Sequence, residues 1–241
     1  MGRVTSNQLA PYKAFCQAVT PRQAEGELKN IASCYLGVSL QTPAFEPPML
    51  TATVDWVAAN FRECTVAIGD SIHRHTLQIL RGVSPAEALR EALDLGESFI
   101  SQNSHLFTQH EPCKFEFRKF SEIQTTDEYK GYEHHITELF EIDADFRASI
   151  KNSARAFVDR RMTRFDNVPM NEHKLIELSC NYILEEIGCF TWLANNGRRV
   201  DVYPGSELPV LVDVARGKYA VPGPLRDRIN VALKLKVNKG I

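Results

Sequence analysis

The chain has 241 residues, a formal net charge of −2 and a hydrophobic fraction of 44%. This length suits one large domain or two small ones, and it can bury a core without disulfides or metals. The composition excludes collagen-like, disordered and membrane-spanning proteins, and the near-neutral charge excludes a general nucleic-acid coat, so any basic binding surface must be local.

Apolar runs and helix signals alternate along the first half of the chain. Residues 31–38 form an apolar run typical of a buried strand, and apolar side chains at helical spacing predict a helix over 50–61. Residues 65–69 indicate a second buried strand. The run SPAE at 84–87 is a capping box with proline at the first helical position, and it predicts a helix that extends to about Phe107.

The second half of the chain continues the alternation. The predicted elements are a strand, a mostly helical region, a helix, a strand and a last strand expected at the sheet edge, over 114–120, 121–165, 171–190, 199–203 and 229–237. Repeated strand–helix units predict an α/β fold, in which helices flank a parallel sheet. The sequence contains no repeat or linker, so we expect a single domain over residues 1–241.

Polar side chains follow several of the predicted strands. Ser39 and Asp70 come directly after the first two strands, and Tyr203 ends a later one. Ligands of open α/β sheets bind at the carboxyl ends of the strands. Tyr182 and Glu186 lie four residues apart, on one face of a predicted helix. A hydroxyl nucleophile, a proton carrier and an anchor for an amine are what acyl transfer needs, so the sequence predicts such a site here.

Each of these residues also has a structural interpretation. A serine after a strand commonly forms a turn or caps a helix. Tyr182 and Glu186 are equally consistent with the half-buried side of a helix. The run GVSLQ at 37–41 differs from the Gly-x-Ser-x-Gly elbow of α/β-hydrolases, because Gln41 replaces the second glycine.

Two motifs resemble those of the tRNA-dependent cyclodipeptide synthases. The first is an apolar strand running into Gly-[Leu/Val/Ile]-Ser, which is GVS at residues 37–39. The second is Tyr-[Leu/Val/Ile]-x-x-Glu-x-[Pro/Ala], which is YILEEIG at 182–188. The segments DEY at 127–129 and RAFV at 155–158 match in order and spacing. The resemblance covers about residues 30–215, and the motifs are specific in combination.

Two further positions resemble one subfamily of this family, and two others depart from the family motifs. A later tyrosine of the family is followed by histidine in one subfamily and by proline in the other, and here it is Tyr203-Pro204. Thr42 stands where the histidine subfamily has asparagine, which agrees with the Tyr-Pro subfamily. The departures are Ser33, where the family has histidine, and Gly188, where it has proline or a small residue.

The resemblance implies a Rossmann-like fold similar to the catalytic domain of a class I aminoacyl-tRNA synthetase. It implies an aminoacyltransferase that condenses two aminoacyl-tRNAs into a 2,5-diketopiperazine by ping-pong catalysis, without ATP or another cofactor. Ser39 would carry the aminoacyl and then the dipeptidyl group as esters. Tyr182 and Glu186 would bind the substrate's α-ammonium, and Glu186, or Tyr203 as a relay, would receive its proton.

The resemblance also implies two substrate pockets. By position, the substrate-binding residues are Tyr35, Gly37, Thr42, Ala67, Gly69, Phe120, Cys189 and Asp201 near the serine, with Arg160 and Arg161 near the second pocket. A carboxylate at Asp201 favours a cationic or hydrogen-bonding side chain, whereas arginines favour an acidic one. We therefore expect a polar or charged product, with cyclo(His-Glu) as the first candidate. The alternative is that Asp201 and Arg160 pair with each other or face solvent.

A local basic surface is predicted on the helical region after residue 121. Arg147, Lys151 and Arg155 are spaced four apart and share a helix face. These residues predict a surface that binds tRNA phosphates. The alternative is that they form an ordinary solvated face of the helix. The predicted helix beginning at residue 84, which is basic in the relatives, is acidic here.

The remaining expectations concern location, partners and competing functions. Residues 1–15 lack the apolar core of a secretory signal, and the six cysteines form no Cys-x-x-Cys pair, so we expect a cytoplasmic protein with reduced thiols. We expect aminoacyl-tRNAs as partners, no membrane, no obligate protein partner and no metal, since His134, His135 and Glu138 lack a suitable further ligand. The alternatives are a Ser39-dependent esterase or acyltransferase and a non-catalytic tRNA-binding module.

Overall fold

One mixed sheet organises the molecule. The computed structural model describes residues 11–162 and 170–238, and their side chains except those of 160–162. The strands within these ranges are Tyr12–Thr20 (β1), Ser33–Val38 (β2), Glu63–Ile68 (β3), Lys114–Lys119 (β4), Val200–Tyr203 (β5) and Ile229–Val237 (β6). They form one six-stranded sheet in the order β1-β6-β5-β2-β3-β4. The pairs from β6 to β4 are parallel, and β1 alone is antiparallel to its neighbour.

Helices cover both faces of this sheet. Those in the described ranges are Pro47–Asn60 (α1), Asp70–Arg81 (α2), Pro85–Phe107 (α3), Phe120–Ile123 (α4), Asp127–Ile142 (α5), Ala144–Met162 (α6), Glu172–Asn195 (α7), Pro209–Ala215 (α8) and Gly223–Arg226 (α9). The sheet with its flanking helices confirms the predicted α/β class. Among these helices, none is long and apolar enough to cross a membrane.

The alternation of side chains along β2 separates two hydrophobic cores. Leu36 and Val38 belong to the core that contains side chains of α1 and α3. Tyr35 belongs to the core on the other face, together with side chains of α5, α6 and α7. Successive residues of a strand alternate between faces, so Gly37 and then Ser39 follow Tyr35 toward α7. The predicted catalytic serine thus leaves the sheet on the side where α7 packs.

The main departures from the predicted elements lie at the ends of the chain and after β3. The last strand, β6, was expected at the edge, but it lies between β1 and β5. The edge is formed instead by β1, which the sequence pattern did not predict because only Ala14 of this strand is buried. Helix α2 was also missed, since many of its buried positions are polar. By contrast, the predicted capping box is present, and Ser84 Oγ accepts a hydrogen bond from the Glu87 N–H.

A glycine permits close packing between α5 and α7. A Cβ atom at Gly188 would lie 2.9 Å from the Tyr129 ring, closer than packed carbon atoms normally approach. Gly188 is one of the two departures from the motif, and here the bulky Tyr129 occupies the space that a side chain would need. The departure is therefore accommodated by the partner helix.

Candidate active site

Two neighbouring parallel strands deliver Ser39 and Tyr203 to one place. Tyr35 on β2 is the register partner of Asp201 on β5, and Leu36 is the partner of Val202. Ser39 follows β2 and Tyr203 ends β5, so both leave the same end of the sheet. Ser39 Oγ lies 3.3 Å from the Tyr203 hydroxyl oxygen, within hydrogen-bond distance. The pairing of the strands thus joins residues 164 positions apart in the sequence.

Helix α7 supplies the other two predicted catalytic side chains to the same cavity. The cavity has a volume of about 280 Å³. Its walls include Ser39, Tyr182, Glu186 and Tyr203, so the four predicted catalytic residues are brought together. The lining also contains five of the predicted substrate-binding residues, which are Gly37, Thr42, Gly69, Phe120 and Asp201.

Glu186 contributes a carboxyl group to the wall of this cavity. Burial, together with the negative charge of Asp201, raises its pKa from 4.5 to about 8, although the charge of Arg228 opposes the shift. A carboxyl group with a pKa near neutral pH can both give and accept a proton under physiological conditions. Glu186 is therefore suited to exchange a proton with an amine.

The two tyrosine hydroxyls beside Ser39 remain protonated at neutral pH. Burial raises the pKa of Tyr182 well above its usual range, with Glu186 and Tyr203 acting in the same direction and a hydrogen bond to Ser39 opposing. Burial also raises the pKa of Tyr203, against the effect of its own hydrogen bond to Ser39. Ser39 is thus flanked by two neutral hydroxyls that can donate hydrogen bonds.

A buried ion cluster forms another part of the cavity wall. We call Asp201, Glu207, Arg228 and Asn230 the acidic wall. The Arg228 guanidinium bonds both carboxylates, Asp201 through Oδ2 and Glu207 through Oε1. Asn230 Nδ2 also donates to Asp201 Oδ2, at 3.3 Å. Burial raises the pKa of both Asp201 and Glu207, and the charge of Arg228 opposes this in each case.

The acidic wall corrects the expectations about Asp201. Asp201 does line the cavity, but one of its oxygens is already bonded to a cation of the protein itself. That cation is Arg228, which no motif indicated, and the suggested partner Arg160 has no described side chain. Asp201 Oδ1 and Glu207 Oε2 are buried and have no hydrogen-bond partner among the described residues. The acidic wall therefore retains two acceptor atoms. Its net charge is less negative than the charge of the two carboxylates alone, because Arg228 neutralises part of it.

Three predicted substrate-binding residues lie behind the cavity wall. Tyr35, Ala67 and Cys189 are each fully buried in the core, and the cavity lining does not include them. The ring of Phe190 stacks on Tyr35 with a centroid distance of 5.5 Å, and Phe190 lines the cavity in its place. For Tyr35, the neighbouring Phe190 ring therefore forms the cavity wall. Arg160 and Arg161 have side chains outside the described part of the chain.

A glycine after β5 fixes the orientation of the Tyr203 ring. A Cβ atom at Gly205 would lie 2.8 Å from Cε1 of Tyr203. The ring therefore folds over the position that a side chain at residue 205 would occupy. Phe45 packs against the same ring from another direction, with a centroid distance of 5.9 Å. Gly205 thus leaves room for the ring, and Phe45 packs against it, in the position where its hydroxyl lies beside Ser39.

The predicted basic surface lies on α6 and is only partly free. Lys151 and Arg155 are exposed. Arg147, however, donates from Nη1 to the carbonyl oxygens of Phe140 and Glu141, at 3.0 and 2.6 Å. These carbonyls belong to the last turn of α5, where a cation is favourable. Arg147 therefore has a structural role at this helix end in addition to any contact with a phosphate.

Asp70, which the sequence also placed at the carboxyl ends of the strands, serves the fold. It is fully buried and accepts hydrogen bonds from the Ser121 backbone N–H, at 2.9 Å, and from the Ser121 hydroxyl, at 2.5 Å. It ties the start of α2 to α4 and does not line the cavity. Within the described ranges, no group of three or more His, Cys, Asp or Glu side chains is arranged to hold a metal ion.

Comparison with protein families identifies this arrangement. A family model described as cyclodipeptide synthase matches residues 16–211. The chain belongs to the cyclodipeptide synthase family. This confirms the family expected from the motifs, and with it the enzyme class, an aminoacyltransferase. A search among curated proteins found no match.

Solved cyclodipeptide synthase structures share the fold. One from Fluoribacter dumoffii has a TM-score of 0.78 and 20% sequence identity, and the match covers 94% of this chain and 99% of that one. The enzyme from Mycobacterium tuberculosis, described as showing that cyclodipeptide synthetases are related to type I tRNA synthetases, has a TM-score of 0.71 and 17% identity, with 99% of each chain covered. One from Candidatus Glomeribacter gigasporarum, bound to Phe-tRNAPhe, has a TM-score of 0.67 and 18% identity, covering 90% and 95%. The expected Rossmann-like, synthetase-related fold is therefore confirmed.

Proposed function

We propose that this cyclodipeptide synthase condenses two aminoacyl-tRNAs into a 2,5-diketopiperazine through ester intermediates on Ser39. The observation that supports it most is the cluster of Ser39, Tyr203, Tyr182 and Glu186 around one cavity. The activated ester arrives on the tRNA, so the site needs a nucleophile and a proton acceptor but no group that activates a carboxylate.

In the first step, Ser39 Oγ attacks the carbonyl carbon of an aminoacyl ester. The bond from that carbon to the ribose oxygen of the tRNA breaks, and the proton of Ser39 passes to the departing oxygen. Tyr203, whose hydroxyl lies 3.3 Å from Ser39 Oγ, can relay this proton. The vicinal ribose hydroxyl can also assist, and normal acylation of Ser39 by a donor lacking that hydroxyl would exclude this assistance.

In the second step, the amine of aminoacyl-Ser39 attacks the second aminoacyl ester. An α-ammonium group, with an ordinary pKa of about 7.7–8.0, must first lose a proton. The pKa of Glu186, raised to about 8, is close to this value, so proton transfer between the two groups is nearly balanced in energy. The new peptide bond forms as the bond from the second acyl group to its ribose oxygen breaks. The attacking amine gives up its further proton to that oxygen, the second tRNA leaves, and a dipeptidyl ester remains on Ser39.

In the third step, the terminal amine attacks the ester carbonyl carbon on Ser39. The bond to Ser39 Oγ breaks as the second amide bond forms, and the ring closes. Ser39 Oγ recovers a proton from the attacking amine through the same neighbouring groups. The enzyme returns to its starting state without consuming a further reactant.

For the product, we propose polar or charged side chains, with cyclo(His-Glu) as the specific candidate from the sequence. The acidic wall supports the histidine half, because Asp201 Oδ1 and Glu207 Oε2 are acceptors that a donor side chain can bond. The glutamate half rests on Arg160 and Arg161, whose side chains lie outside the described residues. The membership in the Tyr-Pro subfamily remains a prediction from Tyr203-Pro204 and Thr42.

For the tRNA, we propose contacts to phosphates from Lys151 and Arg155, with a smaller contribution from Arg147. The first two are exposed on α6, whereas Arg147 also bonds carbonyl groups of α5. Replacing Lys151 and Arg155 by glutamine should weaken tRNA binding and flatten its dependence on salt. Lys174→Gln on α7, whose side chain is paired with Glu177, is a matched control that should change neither.

The decisive experiment compares culture media of cells that express the wild-type chain and the Ser39→Ala variant by mass spectrometry. We expect a diketopiperazine from the wild type and none from the variant. Equal product from Ser39→Ala would contradict the role of Ser39 as nucleophile. Hydrolysis of small esters by a wild type that makes no diketopiperazine would indicate an esterase, and tRNA binding without any product would indicate a binding module.

A further inference from the structure

A histidine of α2 lines the cavity and is held by a neighbour of the catalytic glutamate. His75 Nε2 lies 2.9 Å from Glu185 Oε1, and the residue is only 5% exposed. Its other ring nitrogen, Nδ1, is buried and has no hydrogen-bond partner among the described residues. Buried polar atoms without a partner are rare in folded proteins and call for an explanation.

The partners of Glu185 determine which nitrogen of His75 carries the proton. Burial opposes the charged form of Glu185, but the bonds and charges of His75 and Arg74 outweigh it and lower the Glu185 pKa. Arg74 Nη2 lies 2.5 Å from Glu185 Oε1, so the carboxylate is already balanced by a full positive charge. The Nε2–H of His75 donates to this carboxylate, and in the neutral form of the ring Nδ1 carries an acceptor lone pair.

A serine of α7 also lines the cavity and has a buried polar atom without a hydrogen-bond partner among the described residues. Ser179 lines the cavity, is 3% exposed, and its Oγ has no partner among the described residues. Ser153 of α6 provides the contrast, since it also lines the cavity and is buried. Its Oγ donates to the Ser149 carbonyl oxygen within the helix, at 3.0 Å. The Ser153 hydroxyl is therefore hydrogen-bonded within the protein, whereas the Ser179 hydroxyl is not bonded to any described residue.

His75 belongs to α2, the helix that follows β3, on the opposite side of β2 from the strands that carry Asp201 and Asn230. Those strands are β5 and β6, whereas β3 is the other neighbour of β2. We propose that His75 and Ser179 form a hydrogen-bonding subsite that selects, in one of the two aminoacyl groups, a side chain carrying a hydrogen-bond donor. Glu185 is the positioning residue of this subsite, and the inference rests on the proposed function.

The chemistry of the subsite restricts the substrate class. The Nδ1 lone pair accepts a bond from a hydroxyl, amide, indole or imidazole N–H group, and the Ser179 hydroxyl can complement it. A carboxylate has no donor, so in the candidate product cyclo(His-Glu) this subsite would bind the other side chain and not the glutamate. A site that bonds a substrate donor discriminates strongly against an analogue without one, because its own polar atoms then stay unpaired.

The test measures every diketopiperazine that cells release when they express the wild type, His75→Phe, Ser179→Ala or Ser153→Ala. His75→Phe keeps an aromatic ring but removes both nitrogens, and Ser179→Ala removes only the free hydroxyl. We expect a wild-type product with a donor side chain, and at least a tenfold shift toward apolar side chains in both variants. Ser153→Ala should keep the wild-type ratio, since its hydroxyl is already bonded.

Each purified variant is then given pairs of competing aminoacyl-tRNAs whose amino acids differ by one hydrogen-bond donor. Suitable pairs are threonine against valine and tyrosine against phenylalanine. Loss of discrimination with the second substrate side chain unchanged would support the subsite. Wild-type products that lack any donor side chain, or products unchanged in both His75→Phe and Ser179→Ala, would overturn it. Absence of any diketopiperazine from the wild type would overturn the proposed function itself.

Discussion

Glu185 and Glu186 are adjacent on α7, yet they lie in opposite electrostatic environments. Glu185 bonds Arg74, His75 and Gln124, and despite burial its pKa is lowered by these partners. Glu186 faces the cavity, and burial together with Asp201 raises its pKa to about 8. Consecutive residues of a helix are about 100° apart around its axis, so one step in sequence changes the surroundings completely.

Helix α7 thus carries one glutamate that stays charged and one that exchanges a proton. Glu185 remains an anion, holds α2 against α7 through Arg74 and His75, and bonds Gln124 at the end of α4. Glu186 has no cation bonded to it in the described structure, and it changes its protonation state near neutral pH. The carboxyl group that lacks a partner is the one suited to proton transfer, and the paired one is suited to structure.

The largest expected effect is the difference in activity between two isosteric substitutions. Glu186→Gln removes the group that accepts the amine's proton, and we expect diketopiperazine formation to fall by at least about 1000-fold. Glu185→Gln should lower it by no more than about tenfold, because Glu185 acts on the site only through His75. Product formation by the purified proteins measures both effects. Similar losses of activity in the two variants would contradict the assignment of proton transfer to Glu186 and of a structural role to Glu185.

The pH dependence should report the raised pKa of Glu186. The carboxylate form is the proton acceptor, so kcat/KM should rise with pH between 6 and about 8, by up to tenfold per unit. Asp201→Asn removes a negative charge that raises the Glu186 pKa, while Arg228 still lowers it. The rise should therefore move to lower pH in this variant. A profile identical to the wild type would show that Asp201 does not influence Glu186.

Asparagine suits this test better than leucine at residue 201. Asp201 is bonded to Arg228, and the Arg228 side chain is only 3% exposed. Leucine would leave a buried guanidinium with one fewer partner and would destabilise the fold, whereas asparagine retains an acceptor oxygen. A folded Asp201→Asn variant, checked by its thermal unfolding, keeps the pH profile interpretable.

The catalytic cluster could be predicted from sequence because local motifs and sheet topology specify it. Ser39 and Tyr203 each follow an apolar strand, and parallel strands place such residues at one edge. The spacing of Tyr182 and Glu186 needs only a regular helix. Each of these residues can be chosen from the pattern of its own segment, although their meeting at one cavity depends on the pairing of β2 with β5 and on the packing of α7.

The other parts of the cavity were not predictable in this way. Arg228 lies in an irregular segment after α9 and reaches Asp201 only because β6 pairs with β5. His75 lies on α2, where buried polar side chains hide the apolar pattern of a helix, namely Asp70, Ser71, His73, His75, Thr76 and Gln78. The pairing of β1 with β6 joins the two ends of the described chain, and no local pattern indicates it.

The effect on stability should have opposite signs for the two glutamates. The Glu185 pKa is lowered by folding, so its contribution is present above its unfolded pKa and is lost as pH falls through the folded value. The Glu186 pKa is raised from 4.5 to about 8, so folding is progressively less favourable as pH rises between these values.

At pH 8, Glu185→Gln should therefore destabilise the protein by about 1–3 kcal/mol, since Arg74 and His75 lose their anion. Glu186→Gln should stabilise it by a similar amount, with the gain vanishing near the unfolded pKa of Glu186. Chemical denaturation of both variants at several pH values measures these differences. Destabilisation by Glu186→Gln at pH 8 would mean that this carboxylate has a favourable partner after all.

The smallest expected effect concerns a single neutral hydrogen bond to Glu185. Gln124 Nε2 donates to Glu185 Oε2 at 3.1 Å and to the Tyr129 hydroxyl at 3.3 Å. Gln124→Met keeps the length of the side chain but removes its donor, so the anionic form of Glu185 loses one stabilising contact. We expect a cost of about 1 kcal/mol at neutral pH, which decreases as Glu185 becomes protonated.

The double variant Gln124→Met with Glu185→Gln separates this bond from general packing. If the cost arises from the bond to the carboxylate, the two substitutions should be less than additive in the free energy of unfolding. Full additivity would place the effect of Gln124 elsewhere, at Tyr129 or in packing against α7. Because Gln124 bonds Glu185 and Tyr129 and is not among the groups that shift the Glu186 pKa, the pH profile of activity should stay where it is. A shifted profile would show that the two glutamates are coupled through α7.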